Sequence, residues 1–581
     1  KCLDCGKEYN TSGNTSNLQD HLKRFHPGLD VPVKDTTTKV HGTSTATDVN
    51  ASSTTSCRSS MQSVASYFNR AIQYDSNSKR KKDIDRALTM MIATDVQPFN
   101  IVENQGFLRY SQILDPRYIV PSKTQIRDVL MKDMFEKSTA NLKLILKDIT
   151  DIAVTCDCWT SCANDNFLTV TCHFIHSFSV RTASLATTKL TDLTNHSAQN
   201  IADTLKDVLT DRDVFAKTAC IVTDNASTMV KACEILKIRN LPCFAHSLNL
   251  VVQDGLKIEN DNPCLKALFA KCKTIVRFFK HSSIAMEKFK IAQNSDSPYT
   301  LLQETPTRWN SFYFMIERII KTNDAISKVL LATAKAPMPL TAVEIDILKD
   351  IEKMLAYFQN ATEKISGGKY VTISLIIPMV YGLCRKVEHL SPDLQTTEGK
   401  MFQRNLIESI RKRLFTYEQR TVTRMATILD PRFKKDGFQF NSNAEQASIF
   451  LESELVKLSH QKTAPNNDVT SKSKSQTPKL FDFLEEKAME RTSTVRSDAI
   501  IIKRQYLERC IASQETDPLQ WMKVNATEFN LIKSLMLKYL CVPATSVESE
   551  RMFSKAGQIP LKFVLLFKKI TFSRVNRVCF F

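Results

Sequence analysis

The chain has 581 residues, enough for several domains and a large core. Its 79 Lys+Arg against 61 Asp+Glu leave a formal charge of +18, which suits a polyanionic partner such as nucleic acid. Sixteen cysteines scattered without a dense framework point away from a disulfide-stapled secreted domain, and no apolar stretch reaches membrane-spanning length.

The sequence opens at Lys1 with a metal-ligand pattern already under way, so it is expected to be a fragment missing its start. Cys2 and Cys5 form C-x2-C, and His21 and His26 form H-x4-H. Thiolates and imidazoles at these spacings suit tetrahedral Zn²⁺, and four ligands leave no open position, so the role is structural. "NLQDHLKRFHP" predicts a basic helix that carries the two histidines and offers Lys23 and Arg24 to a DNA major groove. A zinc module that binds protein instead is the alternative. Residues 28–60 are rich in Thr, Ser, Asp and Lys, a flexible-linker composition. "SKRKKD" (78–83) reads as a nuclear import signal or a solvated helix face. Residues 61–150 are predicted to be mostly helical.

The period then changes. "DIAVTCDCWTS", "FLTVTCHFIHSF" and "VRTASLATTKLTDL" predict three successive strands. A helix over 200–214, a strand "ACIVTDNAS", a short helix "TMVKACEIL", a short strand or turn at "LPCFAH" and a helix "SLNLVVQDGLK" follow. The order βββαβαβα is that of a ribonuclease H-like mixed sheet, so the fold class is multidomain α/β. From 261 to 459 the pattern is helical, with Ile347, Leu348, Ile351, Met354, Leu355 and Phe358 at core spacing. A polar linker (460–478) precedes a last helical segment (479–558).

Asp157 closes the first strand and Asp224 the fourth, and in a sheet of this order those tips are neighbours. Two carboxylates there can hold divalent metal for chemistry at phosphorus, and Mg²⁺ suits oxygen ligands. A third carboxylate is sought in "PATSVESERMFSKAG". Thr545 and Glu548 have capping-box spacing, which predicts a helix start at Thr545. Glu550 then shares a face with Val547 and Phe553, where a carboxylate needs a metal or an arginine to offset its burial.

"TCDCWTS", "VTDNASTMVKA", "CFAHSLNLVV", "TRWNSFYFMIERI", "ATILDPRFK" and "PATSVESERMFSKAG" stand in the order found in hAT-superfamily transposases. "ATDVQPFNIVENQGF" and "LDPRYIVPS" are similar to that family's pre-catalytic region, and residues 1–27 resemble a BED-type zinc finger. The resemblance runs to about Gly557. It implies a ribonuclease H-like core split by a large all-α insertion, with a C-terminal hAT dimerisation region completing the core. It implies Asp157, Asp224 and Glu550 as a catalytic triad binding Mg²⁺ or Mn²⁺. It also implies Arg308 and Trp309 as a DNA-contacting pair in which the indole stacks on a flipped base; a core tryptophan is the alternative. Cys243 and His246 match a C-x2-H motif, for which packing is favoured over zinc. Trp159 is expected to pack the end of its strand. Pro560 and the Phe-rich stretch after it depart from the family pattern, so 559–581 is expected to be an aberrant tail. The expected partners are double-stranded DNA and further copies of the chain, as a homodimer or higher oligomer, with no membrane. The expected location is the nucleus. Two functions stand: a DNA-cutting transposase, and a catalytically silent, domesticated regulator of transcription or chromatin.

Overall fold

The computed structural model describes residues 73–160, 164–192, 194–257, 262–305, 308–463 and 495–557. The expectations for Cys2, Cys5, His21, His26, Lys23 and Arg24, for the linker 28–60 and for the tail 559–581 lie outside these residues.

The first helices form a small cluster of their own. Helix Lys79–Thr94 is capped by Ser78, whose hydroxyl accepts from the Lys81 amide. Lys79, Arg80 and Lys82 of the basic stretch are exposed, while Lys81 turns to Asp85 at 2.8 Å. Leu88, Ile92, Phe99, Val102, Tyr118, Ile126 and Met131 close this cluster, and Tyr118 donates to the buried Asp85 at 2.8 Å.

The centre is a five-stranded mixed sheet: β1 (Ile152–Thr160), β2 (Asn166–His176), β3 (Ser179–Lys189), β4 (Thr218–Thr223) and β5 (Asn240–Pro242). The order is β3-β2-β1-β4-β5, with β1 antiparallel to β2 and parallel to β4. β1 is central, and Ile152 through Cys156 are buried, as expected of a strand covered on both faces. Alternation divides its side chains between two cores. Val154, Cys156, Val170, Cys172 and Ile221 pack under helices Ala198–Asp211 and Ser227–Leu236. Ala153, Cys220, Val222 and Leu241 face the helix Phe244–Leu256 and the helices that follow it.

The helical insertion grows out of this second face. All six residues predicted as its core are at most 1 % exposed and lie on one long helix, Ala342–Ile365. That helix starts with a capping box between Thr341 and Glu344, a T-x-x-E signal legible in the sequence. Gly255 lets helix Phe244–Leu256 approach helix Thr397–Arg413, since a Cβ there would meet Leu406 at 2.7 Å. Asp254 pins the same pair by accepting from Arg413 at 2.5 Å and Ser409 at 2.9 Å. The helix Asn441–Thr463 runs past 460, into the stretch predicted as linker.

The "LDPRFK" stretch is a structural clasp. Asp430 is fully buried and takes a two-pronged contact from Arg432 at 2.9 and 2.7 Å, plus the Ser374 hydroxyl at 2.6 Å. Lys434 and Tyr506 tie this turn to helix Val495–Glu508: the ammonium donates to Tyr506 O at 2.7 Å, and the Tyr506 hydroxyl donates to Leu429 O at 2.7 Å.

Candidate active site

In the parallel pair β1/β4, Thr155 stands opposite Val222. Asp157 and Asp224 each lie two residues further on, so the strand period puts them side by side on the insertion face. Asp224 is the first residue past β4, and its carboxylate accepts from the Ala226 amide at 3.2 Å, starting the turn into helix Ser227–Leu236. The third candidate, Glu550, arrives on helix Val547–Gly557, which packs across β1 and β2.

The electrostatics tie the three together. The Asp157 carboxyl is pushed up to about 7, first by burial and then by the charges of Glu550 and Asp224. Glu550 has no ion-pair partner among the described residues; Arg551 pairs with Glu548 instead, at 2.5 Å. The helix begins at Val547, and Glu548 is committed to Arg551, so the predicted capping box from Thr545 is not formed. A buried Glu550–Arg pair, the alternative weighed from the sequence, is likewise not formed among the described residues. As placed, no three His, Cys, Asp or Glu side chains among the described residues are close enough to grip one ion.

The direction of the Asp157 shift has a measurable consequence. The folded state keeps a proton that the unfolded state releases in the ordinary carboxylate range, near 3.8, so ionising Asp157 lowers stability as pH rises from about 4 to about 7. Asp157→Asn is therefore expected to raise Tm by a few degrees at pH 8 and to change it little at pH 4. Scanning calorimetry at the two pH values checks this, and equal shifts at both would contradict it.

Cys243 and His246 sit where β5 passes into the next helix. Cys243 is buried and its sulfur accepts from the Ser546 amide at 3.3 Å, while Phe244 N donates to Ala544 O at 2.9 Å. These bonds hold the entry of the Glu550 helix against the end of the sheet, a packing role. His246 is half-buried in the first turn of its helix.

Trp309 opens helix Trp309–Lys321 and is 4 % exposed. It meets Phe358 edge-to-face at 6.2 Å, and its amide donates to Asn249 on helix Phe244–Leu256 at 3.2 Å. Arg308 just before it is exposed. In this conformation the indole belongs to the core and the guanidinium to the surface. Trp159 stacks on Phe167 at 4.8 Å and donates to Thr169 at 3.1 Å, packing the strand end as expected.

Sequence reasoning missed a polar ladder on the Asp157 face. His173 lies between Thr171 at 3.1 Å, Thr155 at 3.3 Å and Thr182 at 3.1 Å, fully buried, with its pKa driven down to about 3 by burial. The signal was present in "TVTCH", where Thr169, Thr171 and His173 recur with period two on a strand. The contacts of Arg551 with Ser366 and of Ser546 with Cys243 were also missed, because those partners lie far away in the sequence.

Comparison with known families agrees with this geometry. Residues 1–27 match the BED zinc finger, 155–243 the ZBED1 RNase-like domain, 241–354 the ZBED1 RNase-like helical domain, and 502–565 the hAT family C-terminal dimerisation region. The chain is a hAT-transposase-like protein of the BED-finger type. This hAT-like chain is 25% identical to human zinc finger BED domain-containing protein 4, over 99% of its own length and 50% of the relative. It is 22% identical to human zinc finger BED domain-containing protein 6, over 86% of its length and 54% of the relative. It is also 22% identical to the putative AC transposase of Zea mays, over 96% and 69%. The chain thus spans about half the length of the BED-finger relatives. No helix among the described residues is long and apolar enough to cross a membrane.

Proposed function

We propose that this chain is a nuclear, zinc- and DNA-binding, self-associating protein that cuts and transfers DNA strands, with Asp157, Asp224 and Glu550 as its metal-binding triad. One observation carries the reading. Three carboxylates from distant parts of the sequence share one end of the sheet, and no described residue pairs Glu550 with a cation. Like charges gathered this way are unfavourable without a counter-ion. An all-oxygen donor set fits Mg²⁺ or Mn²⁺. Bound there, such ions would supply activation of water and stabilisation of the leaving oxygen at phosphorus.

The remaining roles belong to the chain itself. β1 and β4 fix the two aspartates in register, and the Ser546–Cys243 and Phe244–Ala544 bonds fix the approach of Glu550. Cys2, Cys5, His21 and His26 would hold Zn²⁺ and fold the finger, which presents Lys23 and Arg24 to duplex DNA. Arg308 is a further DNA contact. The C-terminal match to a dimerisation region supports self-association, and the exposed Ile500, Ile501, Ile511 and Val524 leave apolar surface there.

A second reading is a silent, domesticated regulator. It is favoured by the side chains standing too far apart to grip one ion as placed. The two are separated by incubating the full chain with DNA carrying the inverted repeats that flank its gene, with and without Mn²⁺. Metal-dependent cuts support the transposase; binding without cuts supports the regulator. In either case Cys5→Ser is expected to abolish sequence-specific binding in a mobility-shift assay, because losing one of four ligands unfolds a structural zinc module. Undiminished binding would show that the finger is not the reader.

A further inference from the structure

The long insertion helix Ala342–Ile365 ends in the turn Ser366–Gly367–Gly368–Lys369–Tyr370, and this turn rests on the helix that carries Glu550. Arg551 bridges the two: one guanidinium nitrogen donates to Glu548 and the other to Ser366 O at 3.2 Å. Gly368 lies so close to that helix that a Cβ would meet Glu548 Oε1 at 2.6 Å. The turn is closed on itself as well. The Tyr370 hydroxyl donates back to Lys364 O, and the Tyr370 ring lies over Gly367, where a Cβ would collide with it. Two glycines and a tyrosine thus hold one shape, so little ordering entropy remains to be lost on binding.

The loop presents cations. Lys364 and Lys369 are exposed and neither is ion-paired with a described residue. Arg551 keeps 46 % of its side chain exposed even while it neutralises Glu548. The acidic neighbour Glu363 is engaged by Gln359, at 2.8 Å. A fixed turn on the helix that carries Glu550, presenting two ammonium groups that no described residue pairs, offers charge to a nucleic-acid backbone rather than an apolar core to a protein partner.

We propose that the 364–370 turn is a DNA-backbone clamp, in which Lys364 and Lys369 contact phosphates next to the phosphodiester held at the Asp157–Asp224–Glu550 site. The proposal rests on the DNA-processing reading above. Through Arg551 the same contact bears on the helix of Glu550, so DNA binding and the placement of the third carboxylate are mechanically linked.

The test is the salt dependence of duplex binding by the full chain, using a 30-bp duplex of arbitrary sequence, for the wild type and for Lys364→Gln/Lys369→Gln. Each lost phosphate contact removes about 0.9 from the slope of log K against log salt, so the double variant is expected to lose about 2. Both substitutions are at exposed positions outside the triad, and an unchanged melting profile confirms that the fold is intact. An unchanged slope overturns the clamp, as does a lysine pair that responds only to an acidic protein surface. The two readings fail separately. A reduced slope in a chain that never cuts DNA keeps the clamp and removes the nuclease. Metal-dependent cutting with an unchanged slope does the reverse, and no duplex binding by the wild type removes both.

Discussion

Glu550→Gln is expected to eliminate metal-dependent strand cleavage while leaving duplex binding intact. The substitution keeps the shape of the side chain and removes one of three charges at the proposed metal site. It also relieves Asp157, whose carboxyl is raised in part by the Glu550 charge, so the variant should fold at least as well as the wild type. A metal supplies several kcal/mol of charge stabilisation in phosphoryl transfer, so losing it slows cleavage by about 10²–10³-fold or more. The measurement is single-turnover nicking of repeat-bearing DNA in Mn²⁺, with binding followed in parallel. Cleavage at the wild-type rate would remove Glu550 from the site, and a loss of binding as well would assign it to the fold.

The second large effect concerns Trp309. With 4 % of its surface exposed and Phe358 edge-on at 6.2 Å, the indole fills the insertion core. Trp309→Ala is expected to cost roughly 3–5 kcal/mol, the range for deleting a large buried aromatic. Trp309→Phe should recover most of that, since it keeps an aromatic ring against Phe358. Urea unfolding followed by far-ultraviolet circular dichroism gives both values. A stable Trp309→Ala protein that loses only cleavage would instead mean that the indole leaves the core and stacks on a base.

The sheet was legible because its chemistry is local. β1 reads as a buried strand in which Ile152 and Val154 alternate with smaller residues and which ends at Asp157 and Trp159, and the change of hydrophobic period near residue 151 marks where helices give way to strands. The expectation that Asp157 and Asp224 are neighbours followed from strand order, and Thr155 and Val222, two residues before them, stand in parallel register. Glu550 was reachable because a carboxylate on an apolar helix face is anomalous. Its cap was misread because Glu548 has a stronger partner in Arg551 than a backbone amide. No sequence spacing could reveal that Arg551 also reaches Ser366, or that Ser546 donates to Cys243, because those contacts exist only once the insertion has folded back. Trp309 shows the same limit: "RW" is visible as a motif, but its environment is built by Phe358 and Asn249 from other helices.

The division of the sheet between two cores bears on the order in which the protein is made. The face holding Val154, Cys156, Val170 and Ile221 is covered by helices that leave the ribosome with the strands themselves. The opposite face, with Ala153, Cys220, Val222 and the two aspartates, waits for the insertion and for the helix of Glu550, which come later in the chain, the helix several hundred residues later. A prematurely terminated product would therefore expose an uncovered apolar sheet, a substrate for chaperones and proteases. Under the proposed DNA-cutting function the same delay is a safeguard, because a nascent chain cannot complete its carboxylate set before the insertion and the helix after it have been made.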